Sequence, residues 1–213
     1  MIGNFVIYGD SYSTYKGYIP EGYEAWYNSE IKDCNDVCKV EECWWHQFFK
    51  EAPANLLFNC SYSGTTICNT GYNGEDCREK SFIARLDRLI DNEYFKKNKI
   101  DTLIIFGATN DCWAGSPRGE QKYYDWSEDD LYKVYPAFSY MLSRAKEAMG
   151  EGRVVFVLNH ILIEDFDKNF SEACSHFGVE YLPLSEFHLG GGHPTTIGMK
   201  QIKDQIISYF ENN

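Results

Sequence analysis

Four short stretches carry residue types that do acyl-transfer or anion-stabilising chemistry. Gly9-Asp10-Ser11-Tyr12-Ser13 directly follows the apolar run Phe5 to Tyr8. A Ser on a strand-to-helix turn is exposed at the top of a sheet, near helix N–H groups that hold an anion, and is placed for nucleophilic attack. The same Asp and Ser also make an ordinary turn and helix cap. Gly107-Ala108-Thr109-Asn110-Asp111 follows Leu103 to Phe106. An Asn amide is a neutral donor suited to an oxyanion in a dry site, while Asn and Asp are also common turn residues. Ser63-Gly64-Thr65 follows Leu56 to Phe58, and a glycine lets its backbone N–H approach a ligand closely. Near the C-terminus, Gly190-Gly191-Gly192-His193-Pro194-Thr195 precedes a helical pattern. A His there can act as general base, and a lone His can equally be structural. The three glycines do not make a phosphate cradle: no Gly-Lys-Ser/Thr follows, and no strand precedes them at dinucleotide spacing.

The elements that must position these residues alternate along the chain. The runs named above, together with Val154 to Leu158 and Val179 to Leu182, are too short for helices and rich in β-branched or aromatic residues. They read as strands, and their continuous apolar character suggests cover on both faces, as in a parallel sheet. Helical spacing marks Trp44, Trp45, Phe48 and Phe49, then Phe82, Leu86, Leu89 and Ile90, and finally Met199, Ile202, Ile206 and Tyr209. Such stripes are core packing first. Ser127 and Asp130 resemble a capping box that opens a helix running to Gly150, with Pro136 expected to kink or split it. Alternating strands and helices predict an α/β layered fold with right-handed crossovers. Ligands in such sheets bind beyond the carboxyl ends of the strands, which is where the Ser, Gly and Asn stretches fall.

Composition narrows the partners. With 213 residues the chain fits one domain, 1–213, and no interdomain linker or repeat is visible. Lys plus Arg is 20 against 32 Asp plus Glu, a formal charge of −12, which argues against nucleic acid and against anionic membranes. No apolar run approaches the roughly 18 residues of a membrane span. The N-terminus lacks a basic segment followed by a long apolar one, so a cytoplasmic location is expected. Eight cysteines are then expected to be reduced. Cys34, Cys38, Cys43 and His46 have the residue types of a zinc site, but their spacing fits no usual zinc pattern, so no metal is expected. Nothing in the sequence speaks to the oligomeric state.

Taken together, Gly9-Asp10-Ser11, Gly64, Gly107-x-x-Asn110-Asp111 and His193-Pro194, in this order and at strand ends, resemble the SGNH hydrolase superfamily, the GDSL esterases and lipases. The blocks span residues 9 to 194. The resemblance implies a flavodoxin-like three-layer α/β/α sandwich on a five-stranded parallel sheet, matching the five apolar runs. It implies Ser11 as nucleophile and His193 as general base. The N–H groups of Ser11 and Gly64 and the side chain of Asn110 would form the oxyanion hole, supported by Asp10 and Asp111. It implies no cofactor and a small-molecule ester substrate.

One departure stands out. The family pattern usually has an acid three positions before the His, and this chain has Gly190 there. In a Ser-His-Asp triad the acid fixes the imidazole tautomer and stabilises the imidazolium. Three explanations stay open: a backbone carbonyl orients His193 in a Ser-His dyad, Glu186 or another acid reaches in, or the site is weak or dead. The second class of reading, a ligand-binding protein without turnover on the same fold, draws on this departure. A flavodoxin-like binder of a phosphorylated cofactor is disfavoured, because Asp10 would repel the anion. Residues 14–43 form an excursion rich in Tyr, Trp, Glu and Asp, either a cap over the core or a substrate surface. Trp113 and Tyr12 are expected to line the pocket, and an acetylated carbohydrate is the expected substrate class.

Overall fold

The computed structural model describes residues 3–161 and 164–213. Five parallel strands, β1 (Gly3–Gly9), β2 (Ala54–Asn59), β3 (Thr102–Gly107), β4 (Arg153–Leu158) and β5 (Glu180–Pro183), form one sheet in the order β2-β1-β3-β4-β5. Every expected strand is present, with only Val179 falling just outside β5.

Side chains of a strand alternate between faces, and the two faces of this sheet bury separate cores. Val6, Tyr8, Leu103, Ile105, Val154 and Phe156 point to one side. There α2 (Phe82–Asp91), α5 (Val134–Met149) and α6 (Glu164–Phe177) cover them. Phe5, Ile7, Ile104, Phe106, Val155 and Val157 point to the other side, under α1 (Trp44–Glu51) and α7 (Thr196–Asn212). This is the three-layer α/β/α sandwich. Cover on both faces holds for β1, β3 and β4 but not for the edge strand β2, whose Leu57 is 41% exposed.

Local chemistry sets the helix boundaries. Ser127 and Asp130 do form a capping box, but it opens a short 3-10 turn, Glu128–Tyr132. The chain breaks at Lys133, and α5 begins at Val134 with Pro136 in its first turn, where a missing N–H costs no helical bond. Three helices are additional to the sequence reading: α6, and the short α3 (Tyr94–Lys97) and α4 (Thr109–Ala114). Among the described residues no helix is long and apolar enough to cross a membrane.

The strand order reverses between β1 and β3, and a crevice opens at such a switch point. The turns after β1 and β3 carry Ser11 and Asn110. His193 arrives from a two-stranded hairpin, β6 (Leu189–Gly190) and β7 (His193–Pro194), just ahead of α7.

Candidate active site

Ser11 opens a one-turn 3-10 helix after β1, capped by the Asp10 carboxylate, which accepts from the Tyr12 N–H at 3.0 Å. Ser11 Oγ lies 3.0 Å from His193 Nε2, across 182 positions of sequence. The other imidazole nitrogen, Nδ1, faces the Gly191 carbonyl at 3.3 Å. A carbonyl can only accept, so this contact assigns the proton to Nδ1 and leaves the Nε2 lone pair toward the serine. His193 is 6% exposed. Burial holds its pKa down at about 4, with the Gly191 carbonyl acting in the opposite sense and the Lys32 charge lowering it further.

The donors of the expected oxyanion hole come from three strand-end turns. Neither Ser11 nor Gly64 donates its backbone N–H to an acceptor among the described residues. Gly64 has φ +75°, a left-handed conformation that a side chain would strain. Asn110 Nδ2 donates to the Thr65 carbonyl at 3.0 Å, which fastens the residue after Gly64 to the β3 turn. Its second Nδ2 hydrogen remains for a ligand. Tyr72, unforeseen from the sequence, donates its hydroxyl to Asn110 Oδ1 at 2.9 Å and so fixes which way the amide faces.

Asp10 and Asp111 are both fully buried carboxylates beneath this site. Asp111 accepts from the N–H groups of Ile67 at 2.8 Å and Cys68 at 3.2 Å, holding the loop that carries Gly64. Burial raises its pKa to about 6 against those N–H donors. Burial likewise raises Asp10 to about 7, opposed by the Tyr12 N–H and reinforced by the neighbouring Asp111 charge. Asp10 Oδ2 has no hydrogen-bond partner among the described residues.

Arg85, also unforeseen, ties the same turns together from below. Its guanidinium donates to the carbonyls of Cys60 and Gly9 and to Thr65 Oγ1, while Nε donates to the Lys80 carbonyl. The signal in the sequence is an arginine within the apolar stripe of α2, between Ile83 and Leu86.

The acid position is closed rather than vacant. A β-carbon on Gly190 would stand 2.1 Å from the carbonyl oxygen of Cys34. The excursion 14–43 therefore runs through the space an acidic side chain would need. Glu186 is exposed, and its charge is felt at His160 rather than at His193. The backbone carbonyl of Gly191, not Glu186, faces His193 Nδ1.

Aromatic rings surround the imidazole. Trp26 lies flat on it, with centroids 3.6 Å and planes 7° apart. Tyr12 and Trp113 meet it edge-on at 5.4 Å and 5.9 Å. Tyr12 is buried and donates its hydroxyl to the Gly192 carbonyl at 2.7 Å. Of the two expected lining residues, Trp113 is the one that presents surface, being 39% exposed. The Cys34, Cys38, Cys43 and His46 set is not gathered: Cys34 is exposed beside Gly191, whereas Cys43 is buried in the core. All eight cysteines are free thiols.

A 2-1-3-4-5 parallel sheet with a Ser–His pair beyond its carboxyl edge is the architecture of SGNH-type hydrolases. The chain belongs to the GDSL-like lipase/acylhydrolase family, whose model matches residues 3–210, and is thereby an ester-bond hydrolase. Among solved structures it is similar to a protein of Bacteroides ovatus assigned as a GDSL-like lipase. Identity there is 39%, both chains are covered in full, and the TM-score is 0.92. A second such protein, from Bacteroides uniformis, shows 37% identity over 99% of this chain and 96% of that one, with a TM-score of 0.90. A more distant likeness, of fold alone, is to an acetyl xylan esterase of Butyrivibrio proteoclasticus. It has 14% identity, a TM-score of 0.61, and covers 99% of this chain and 63% of that one. None of the curated proteins matches the chain.

Proposed function

We propose that the protein is a serine esterase that hydrolyses carboxylic esters through an acyl-enzyme formed on Ser11. The observation that carries this reading is the 3.0 Å approach of His193 Nε2 to Ser11 Oγ, with Nδ1 turned to a carbonyl. In the first half-reaction, Ser11 Oγ forms a bond to the ester carbonyl carbon while Nε2 takes the hydroxyl proton. The carbonyl oxygen becomes an oxyanion facing the N–H groups of Ser11 and Gly64 and the free hydrogen of Asn110 Nδ2. The tetrahedral centre collapses, the bond to the alkoxy oxygen breaks, and the imidazolium protonates the departing alcohol. Water then adds to the acyl-serine by the same route in reverse, releasing the acid and restoring Ser11.

An acetylated carbohydrate is the substrate class we favour. Trp113 offers an exposed ring beside His193, and aromatic faces pack against sugar rings. Tyr72, 38% exposed, brings a hydroxyl to the same mouth beside Asn110. The acetyl xylan esterase of like fold points in the same direction.

Covalent labelling with a fluorophosphonate, read by intact mass, tests the central claim. The expected result is one adduct on the wild type and none on Ser11→Ala. A folded wild type that takes no adduct, with the reagent active on a control esterase, overturns it.

A further inference from the structure

We propose that Trp26 is a positioning residue for the general base, doing from the face of the imidazole what a carboxylate three positions before His193 would do from its edge. This inference rests on the esterase reading above. Three observations carry it. The first is the closed acid position: Gly190 cannot bear a side chain while the Cys34 carbonyl stands 2.1 Å from where its β-carbon would be. The second is the stack itself, nearly parallel at a centroid separation of 3.6 Å. An indole face is negative in its quadrupole and attracts a cation placed over it, most strongly away from water.

The third observation is how firmly the excursion is fastened to both halves of the dyad. Thr14 Oγ1 donates to the Ser11 carbonyl at 3.0 Å and accepts the Trp26 N–H at 2.9 Å. Lys32 Nζ donates to the Trp26 carbonyl at 2.6 Å. The next residue, Tyr27, donates its hydroxyl to the Pro194 carbonyl at 2.8 Å. Asn35 Nδ2 lies within 3.3 Å of three carbonyls of the His193 hairpin, those of Gly190, His193 and Pro194. Asp36 accepts from the N–H and hydroxyl of Thr196, where α7 begins. Trp26 is thus held against His193 by a segment hydrogen-bonded to the serine turn on one side and the histidine hairpin on the other.

The chemistry asks for such a group. When Ser11 gives up its proton, His193 becomes a cation in a buried place. The titratable and charged groups facing it are Ser11 and Tyr12 from the β1 turn and Tyr27 and Lys32 from the excursion. Lys32, the charged one of these, disfavours the imidazolium. The Gly191 carbonyl favours it along one edge. The indole face supplies a second favourable contact and also stops the ring from rotating about its axis.

The test compares wild type with Trp26→Leu, which keeps an apolar cover over the ring, and Trp26→Phe, which keeps a weaker π face. The His193 titration is read from its imidazole carbon signals by NMR, assigned by their loss in His193→Gln. The expected result is a pKa lower by about one unit in Trp26→Leu, a tenfold weaker hold on the proton, with partial recovery in Trp26→Phe. On 4-nitrophenyl acetate, Trp26→Leu should lose roughly tenfold in kcat with little change in KM, and its acid limb should move down in step. An unmoved His193 pKa in folded Trp26→Leu overturns the inference, as does Trp26→Phe behaving no better than Trp26→Leu. The NMR arm needs no turnover. A wild type that neither hydrolyses esters nor takes the fluorophosphonate overturns the esterase reading instead.

Discussion

Restoring the acid of the family pattern should harm this protein. In Gly190→Asp, the new β-carbon meets the Cys34 carbonyl oxygen at 2.1 Å, where ordinary contact begins at 3.4 Å. Either the hairpin or the excursion must move by 3.4 − 2.1, about 1.3 Å. Both are backbone, so no side-chain rotation relieves the overlap. Overpacking of this kind costs typically 1–3 kcal/mol. The displacement also pulls Asn35 Nδ2 from its three carbonyl acceptors, of which Gly190 is one. Loss of hydrogen bonds there adds roughly 1 kcal/mol, for a total of about 3 kcal/mol. In a chain of this length that corresponds to a fall in Tm of roughly 6–12 °C. Activity should fall as well, because Gly191, whose carbonyl orients His193 Nδ1, is the adjacent residue. Thermal melts and 4-nitrophenyl acetate kinetics on the same preparation are the assay. An Asp variant that melts with the wild type and turns over faster would show that the site lacks an acid for want of one, and that the closed-space argument is wrong.

The other expectations concern the donors and the buried ionisable groups. Asn110→Ala should lose on the order of 10²–10³ in kcat if its amide meets the oxyanion, with a smaller change in KM; an unchanged kcat removes it from that role. The free-enzyme acid limb of kcat/KM should fall near pH 4, because burial holds His193 there and the base is lost only as pH drops through that value. A limb near the ordinary 6.5 would contradict the burial argument. Asp10 runs opposite to a typical carboxylate. Its folded pKa is raised from 3.8 to about 7, so its contribution to stability is full below about pH 3.8 and is lost as pH rises through 7. Asp10→Asn keeps the acceptor for the Tyr12 N–H. It should therefore gain stability over wild type on going from pH 4 to pH 8, by up to about 4 kcal/mol. Melting curves for the two proteins that stay parallel across that range would exclude it.

Much of the fold was legible because its signals are local. A run such as Leu103 to Phe106, apolar throughout and closed by Gly107, can be little other than a buried strand, and β3 is the central strand of the sheet. The stripe Phe82, Leu86 and Leu89 gave α2 for the same reason. Helix α6 carries Phe166, Phe170, Ala173 and Cys174 at helical spacing and is legible on the same terms. The Ser11, Gly64, Asn110 and His193 blocks could be singled out because the expected roles of nucleophile, donor and base call for particular residue types at strand ends. Their partners could not. Nothing local says that Tyr72 reaches Asn110, that Arg85 reaches Gly9, or that Trp26 lies on His193. Each is a contact across 38, 76 or 167 positions, and only the closed fold brings it about. The aromatic excursion was visible as an anomaly of composition, yet its cap and substrate readings could not be separated. Tyr27, Val37, Val40 and Cys43 do cap the core, while Trp26 and Asn35 reach the His193 hairpin.

The placement of charge gives this site its particular character. The two buried carboxylates serve the loops rather than the imidazole: Asp10 closes the serine turn on Tyr12, and Asp111 closes the Gly64 loop on Ile67 and Cys68. Arg85 draws the Gly9, Cys60 and Thr65 segments together and partly offsets the charge of Asp10. Buried ionisable side chains are thus used to hold backbone, where the benefit is rigidity. The imidazole is met by a carbonyl, an indole and a tyrosine edge, none of them charged. Burial leaves His193 unprotonated well into the acid range, and the Lys32 charge acts in the same sense. The same burial makes the imidazolium costly, so each dipole and π face on it gains weight. The segment whose backbone closes the acid position is also the one that lays Trp26 on the imidazole.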